Sequence, residues 1–391
     1  MHGGTSHPHS GHPGGHPILG RKYDHARCPF LVIWEATRAC DLACVHCRAN
    51  AIPEPPPGEL TTAEARALID DVSAMGTPIF IFSGGDPLKR PDLPELIRHA
   101  RSRGLRTGAI PAAGASLTAD RLRPLAEAGL DQVAFSLDAA TAEAHDSFRR
   151  VEGVFDRTLR MVQAARGLGL AVQINSLVNV HNGAALDELI HLVEGLPIVF
   201  WEVFFLVPTG RGSELSLLSA DKFEQAFAKL YELDRRAAFV VKITEGQHYR
   251  RYRAEREAAD SVKRLPVRAI GAGPMGINSG KGFMFVSSTG EVMPSGFLPL
   301  VAGNVRSSAA SALYRDSELF RRLRDTSLLK GRCGICAYKD VCGGSRARAY
   351  AMTGDYLAED PCCAYDPRAA GDPGGITQAR PEVLDAVRDV R

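Results

Sequence analysis

"FLVIWEATRACDLACVHC", Phe30 to Cys47, sets an apolar run directly before three cysteines at positions 40, 44 and 47. The run is rich in branched and aromatic residues and reads as a strand buried on both faces. The downstream pattern decides the kind of sheet it joins. Short β-rich runs recur as PIFIFS (78–83), LRTGAI (105–110), QVAFSL (132–137), AVQINSLV (171–178) and IVFWEVFFL (198–206). Amphipathic helical segments alternate with them. In TTAEARALIDDVSAMG, Thr61 and Glu64 fit a capping box and Gly76 follows the end. The others are PDLPELIRHARSRG, TADRLRPLAEAG, VFDRTLRMVQAARGLG, GAALDELIHLVEG and SADKFEQAFAKLYELDRR. Strand then helix, six times over, predicts an α/β fold with a parallel sheet and crossover helices. The expected architecture is a partial (βα)6 TIM-like barrel, and a doubly wound sheet gives the same local signal.

The chain has 391 residues, 45 % of them hydrophobic, with a net charge of +2. That is enough apolar material for a sizeable core. The charge balance argues for neither nucleic acid nor a membrane surface as a partner. No apolar run reaches bilayer length, and the start lacks the apolar core of a signal peptide, so a cytoplasmic location is expected.

A His/Gly/Pro-rich tail occupies 1–25. Its five histidines before residue 20 offer incidental metal affinity, but the segment has no periodicity with which to pack a core. The partial barrel is expected over 26–245. A smaller region over 246–368 starts with a basic helical pattern, HYRRYRAEREAADSVKRL, and continues with a hairpin, GFMFVSSTGEVMP, turning at Thr289 and Gly290. Residues 369–391 read as a frayed tail.

Nine cysteines divide into Cys28, Cys40, Cys44 and Cys47 near the start and Cys333, Cys336, Cys342, Cys362 and Cys363 near the end. In a reducing compartment, two such groups around a cysteine-free body read as two metal or cluster sites rather than disulfides. The first trio follows the first strand and so lies on a loop at the carboxyl edge of the sheet, where barrel active sites lie. Three thiolates on a four-iron cubane leave one iron open to a ligand. A zinc site completed by His46 or a remote residue is the alternative.

This arrangement resembles the radical S-adenosylmethionine (SAM) superfamily, whose signature is Cys-x3-Cys-x2-Cys after the first strand. The resemblance covers residues 30 to about 210. It implies a [4Fe–4S] cluster on Cys40, Cys44 and Cys47, with SAM chelated at the open iron and cleaved to a 5′-deoxyadenosyl radical. It also implies an electron donor such as a flavodoxin or ferredoxin. The position before the last cysteine, usually aromatic in the family, is His46, whose imidazole can pack on adenine. FSGGDPL (Ser83 to Leu88) is similar to the family's Gly-Gly-Glu-Pro motif for the SAM amino group, so Gly84, Gly85, Asp86 and Pro87 are implied SAM contacts. By the same resemblance Ser136 and Asn175 are candidates for the SAM carboxylate or ribose, and Arg211, in PTGRG, for the adenine side. For these three, strand-end residues that satisfy backbone are the alternative. Asp138 is placed to cap the following helix.

CGICAYKDVC with EDPCC supplies four thiolates for a closed site: Cys333, Cys336, Cys342 and one of Cys362 and Cys363, with Cys363 fitting the spacing better. It is similar to the SPASM extension of many radical SAM enzymes, but only in part. Ser295 and Arg346 stand where ligands of a further auxiliary cluster would be. One auxiliary [4Fe–4S] cluster is therefore implied, with zinc as the competing occupant. Cys28 reads as a packed thiol.

CGGSRARAYAMTGDYLAEDPCCAY and FLVIWEATRACDLACVHCRA resemble the radical SAM enzymes that tailor haem-like tetrapyrroles by decarboxylating or removing side chains. In this reading Arg250, Arg251, Arg253, Arg346 and Arg348 grip substrate carboxylates; a solvated helix face is the alternative. Tyr338, Tyr350 and Tyr356 are candidate radical relays, against a structural role. A maturase of ribosomally made peptides is the second functional reading. A metal or redox carrier is the third, and it leaves the Gly-Gly-Asp-Pro loop and the barrel unexplained.

Overall fold

The computed structural model describes residues 23–260 and 276–369. The His-rich start, most of the terminal tail and the end of the basic run lie outside the described residues. Seven parallel strands come first: β1 (Leu31–Thr37), β2 (Ile79–Gly84), β3 (Arg106–Ala109), β4 (Gln132–Ser136), β5 (Ala171–Val178), β6 (Phe200–Phe205) and β7 (Val240–Thr244). Helices α1 (Thr62–Ala74), α2 (Leu93–Ser102), α3 (Ala119–Glu127), α4 (Ala142–Arg149), α5 (Val154–Gly167), α6 (Leu186–Glu194) and α7 (Ala220–Arg236) connect them, and α8 (Tyr249–Asp260) comes next. The C-terminal part adds β8 (Phe283–Val286), β9 (Glu291–Met293), β10 (Gly303–Asn304), α9 (Ala310–Asp316), α10 (Glu318–Arg324), α11 (Gly331–Ile335) and α12 (Arg346–Thr353). Among the described residues no helix is long and apolar enough to cross a membrane.

One ten-stranded sheet runs β10-β9-β8-β1-β2-β3-β4-β5-β6-β7. Its outer face packs under the helices through Val32, Trp34, Phe80, Phe82, Val133, Phe135, Val172 and Ile174, all fully buried. The inner face carries the alternate positions, as strand geometry requires. The register puts Ser136, Asn175, Glu202 and Lys242 on one rung across β4 to β7. The capping box at Thr61 and Glu64 starts α1 as its sequence predicts.

Three features differ from the sequence reading. A seventh strand, β7, comes after α7, the last of the six helices in the sequence pattern. Its run is short and is interrupted by Lys242, which faces Glu202 on the inner rung at 2.7 Å. Helix α4 precedes α5 and is capped by Thr141, so Asp138 is not a helix cap; its carboxylate instead pairs with Arg149. The hairpin at Gly290 forms where expected, but β8 pairs parallel with β1, so it extends the barrel sheet.

Candidate active site

The loop after β1 is fixed from several sides. Cys40 N–H donates to the Ile52 carbonyl (2.7 Å), and Thr37 Oγ1 and Arg38 N both donate to Glu59. Arg211 clamps it from the 3-10 turn after β6, donating to the carbonyls of Cys44 (2.9 Å) and Ala51 (3.1 Å) while its own amide donates to Cys47 O. The turn comes this close only because Gly210 has no side chain: a Cβ there would lie 2.5 Å from Cys47 O. Arg211 therefore holds the thiol loop in shape.

The Gly-Gly-Asp-Pro loop leans on the same segment. Gly85 N donates to Thr37 O and Asp86 N to Ala39 O, both at 2.7 Å. Gly84 ends β2 with φ +146°, and a Cβ on Gly85 would lie 2.5 Å from Ala39 O. Asp86 is buried and its carboxylate ties its own loop to the one after β3, accepting from Leu88 N, Ala112 N and Ser116 Oγ, with Pro87 opening the next short turn. Burial drives the Asp86 carboxyl up, against those hydrogen bonds.

Cys40 and Cys44 are buried and Cys47 partly so. Burial pushes the Cys40 thiol up to about 12 and raises Cys44 as well, although Arg149 works against it there. Arg149 Nη1 lies 3.7 Å from Cys44 Sγ and its Nε donates to Asp138 Oδ2 at 2.8 Å. Asp138 also accepts from Leu177 N, at 2.9 Å. His46 stacks on Phe148 (centroids 4.4 Å apart), so one face of its ring is covered; burial lowers its pKa to about 3 and keeps it neutral. Next to the loop, Arg48 pairs with Glu35 on β1 (3.3 Å) and lies over the Phe285 ring (4.4 Å). Ser136 and Asn175 are adjacent on the inner rung. Gln173 Nε2 donates to Asn175 Oδ1 (2.6 Å) and Glu202 Oε2 (3.0 Å).

At the other end, Cys333, Cys336, Cys342 and Cys363 line one cavity together with His248, Arg251, Tyr338 and Asp360. Cys362 is turned away, its thiol against the Leu218 carbonyl. Burial pushes the Cys342 and Cys363 thiols up to about 12. Backbone N–H groups approach two of the sulfurs, Gly344 N to Cys342 Sγ (3.4 Å) and Asp360 N to Cys333 Sγ (3.5 Å). Asp360 organises the wall, accepting from Ser345 N, Arg348 and Cys362 N. Burial alone would raise its carboxyl, but Arg348 and the hydrogen bonds hold it well below the usual carboxylate range. Among the described residues no three His, Cys, Asp or Glu side chains converge tightly enough to hold a single metal ion. A four-iron cubane instead takes each thiolate on a different iron.

The five arginines read as carboxylate grips have other work. Arg348 is buried on Asp360 and the carbonyls of Leu206 and Glu245. Arg346 donates to the carbonyls of Tyr356 (2.9 Å) and Ala358 (2.7 Å) and reaches Cys333 Sγ (3.8 Å). Arg250 donates to Val341 O, Arg251 pairs with Glu224 and Glu255, and Arg253 pairs with Glu257. The solvated-face reading fits only Arg253, whose pair with Glu257 lies partly exposed along α8; the other four are held by carbonyls or carboxylates. Ser295, buried, accepts from Phe297 N. Tyr338 packs edge-on against Tyr365 (5.6 Å); Tyr350 and Tyr356 pack against a small cluster around Leu298 and Leu323. Cys28 packs against the main core. The residues that sequence reasoning missed are Glu35 and Glu202, each visible as a lone carboxylate inside an apolar strand, with Arg48, Arg149 and His248, which carry no comparable signal.

A family model described as the radical SAM superfamily matches residues 34–195. The chain is 43 % identical over 343 residues to an AdoMet-dependent heme synthase of Methanosarcina barkeri, covering 87 % of this chain and 97 % of that protein. It is 39 % identical over 378 residues to an AdoMet-dependent heme synthase of Oleidesulfovibrio alaskensis, covering 93 % and 97 %. In fold it is similar to Streptococcus suis SuiB bound to S-adenosylmethionine, with a TM-score of 0.67 at 15 % identity over 87 % of this chain and 78 % of that one.

Proposed function

The chain belongs to the radical SAM superfamily, and from that premise we propose that it is a SAM-dependent haem synthase, one that decarboxylates side chains of an iron porphyrin. The observation that carries this reading is the length of the match to the heme synthases. At 97 % of their chain it takes in the cysteine loop, the inner rung and the C-terminal thiol cavity together.

As a radical SAM iron–sulfur enzyme the protein uses a [4Fe–4S] cluster and SAM. The N-terminal trio fits such a cluster. Cys40 and Cys44 are buried where protein alone disfavours their thiolates, and Arg149 is fixed against the Cys44 sulfur. We assign Cys40, Cys44 and Cys47 as its ligands, and the backbone of Gly84 and Gly85 with Ser136 and Asn175 as SAM contacts. His46, Asp86, Pro87 and Arg211 keep that loop system in shape. The thiols of Cys333, Cys336, Cys342 and Cys363, with backbone N–H groups aimed at the sulfurs of Cys333 and Cys342, fit an auxiliary [4Fe–4S] cluster. When bound, the first cluster with SAM supplies a 5′-deoxyadenosyl radical for hydrogen abstraction, and the second a one-electron acceptor.

Each propionate that becomes a vinyl group gives up carbon dioxide, one hydrogen atom and one electron. The hydrogen goes to the deoxyadenosyl carbon and the electron to the acceptor. A low-potential flavodoxin or ferredoxin of the cytoplasm provides the electron that SAM cleavage consumes. The chain's own part is to hold the substrate still and dry. Arg48 and Lys242, each paired with a glutamate on the inner face of the sheet, are the cations we assign to a propionate, beside Phe204 and Phe285.

Reconstituted anaerobic protein with SAM, dithionite and iron-coproporphyrin is expected to release 5′-deoxyadenosine. The porphyrin should lose one formic-acid equivalent (carbon dioxide and two hydrogens) per side chain by mass spectrometry. Cys44→Ala should abolish both products. Deoxyadenosine without any change in the porphyrin would remove the substrate assignment and leave the radical chemistry standing.

A further inference from the structure

One polar side chain in the C-terminal cavity is not accounted for by its protein surroundings. His248 is 1 % exposed and lines the cavity with the four cysteines. Its ring packs against Phe223 and Phe227, with centroids at 5.0 and 4.8 Å. Asp360 Oδ2 lies 3.7 Å from Nδ1, too far for a hydrogen bond, and the Asp360 oxygens already serve Ser345, Arg348 and Cys362. Among the described residues neither ring nitrogen has a hydrogen-bond partner. Burial lowers the pKa to about 3, so the ring is neutral and carries one N–H. A buried donor without an acceptor costs on the order of 1–3 kcal/mol, and native proteins rarely keep one. Sulfur is the acceptor this cavity gathers: Gly344 N, Asp360 N and Arg346 already approach Cys342 or Cys333.

We propose that His248 donates its imidazole N–H to a sulfur of the auxiliary [4Fe–4S] cluster and thereby raises that cluster's reduction potential. The inference rests on the auxiliary-cluster reading above. Reduction places charge on the cluster, largely at sulfur, so each N–H···S bond favours the reduced form. His248 acts as a positioning and tuning residue and not as a ligand, because four thiols already complete the coordination.

A protein carrying Cys40→Ala, Cys44→Ala and Cys47→Ala keeps only the C-terminal site. After anaerobic reconstitution it is expected to hold about four irons per chain, and an EPR-monitored redox titration reads its midpoint. Adding His248→Phe should shift the midpoint to a more negative potential with iron content unchanged. His248→Gln, which retains an N–H, should stay nearer the parent. An unchanged midpoint in His248→Phe overturns the inference, and so does loss of iron, which would make His248 a ligand. A parent protein that takes up zinc or no iron overturns the auxiliary-cluster reading instead. Should His248→Phe not fold, pulsed EPR of the parent labelled with 15N-histidine decides. A weak nitrogen coupling with an exchangeable proton supports the hydrogen bond; no coupling, or one of direct-ligand strength, overturns it.

Discussion

At the scale of single residues, the pair behind Cys44 is the most exacting feature of the barrel site. Burial would push the Asp138 carboxyl up, yet Arg149 outweighs it and the group is held below its ordinary range. Removing one partner of a buried pair strands the other, whereas removing both is far less costly. Arg149→Met is therefore expected to lower stability by about 3–5 kcal/mol. The double variant Arg149→Met with Asp138→Leu should regain most of that loss. Urea midpoints of the anaerobic enzyme check both, and a double variant no better than the single would show that the pair is not what holds this corner. None of this was legible in the sequence. Cys40, Cys44 and Cys47 announce themselves by spacing, but Asp138 finds its partner 11 residues away on a helix that no separate pattern marked. The arginines misled for a related reason. Composition shows positive charge, but only the fold shows that Arg348 and Arg346 are already saturated by carbonyls and Asp360.

At the scale of elements, the site is a contact between two loops, one after β1 and one after β2. Gly85 marks the contact. A methyl group there would lie 2.5 Å from Ala39 O and 2.7 Å from Arg38 O, so the loops must part. Gly85→Ala is expected to cost roughly 1–3 kcal/mol as an overpacking change and to weaken SAM binding at least tenfold, read by anaerobic equilibrium dialysis. Gly76→Ala is the control. Its φ is +94° with nothing within 4 Å of the added carbon, so it should lose about 1 kcal/mol to strain and leave SAM affinity unchanged. Equal losses of affinity in the two variants would sink the two-loop account. The elements themselves were largely written in the pattern. β5 coincides with its apolar run, and α1 starts at its capping box. β7 escaped because a strand that carries Lys242 and Thr244 toward Glu202 breaks the apolar pattern used to find buried strands.

For the whole molecule, the question is whether the chain after residue 245 is a module or part of the barrel. The sheet does not stop there: β8 continues it on the far side of β1. The main core likewise runs through Met284, Val286, Val292, Tyr314 and Phe320. Polar ties cross the same boundary. Arg306 pairs with Glu64, Ser311 donates to Asp71, the Tyr314 hydroxyl donates to His25 O, and Arg348 reaches Leu206 O and Glu245 O. A barrel without this part would expose the edge of β1, an apolar strand with its ladder groups unpaired, and such edges aggregate. A chain ended after residue 248 is therefore expected to be insoluble. The full chain should melt in one calorimetric transition that takes both thiol sites with it. Two separated transitions, or a soluble truncated barrel that still binds SAM, would show that the C-terminal part is a detachable module. The distance between the two thiol sites would then not be set by a shared core.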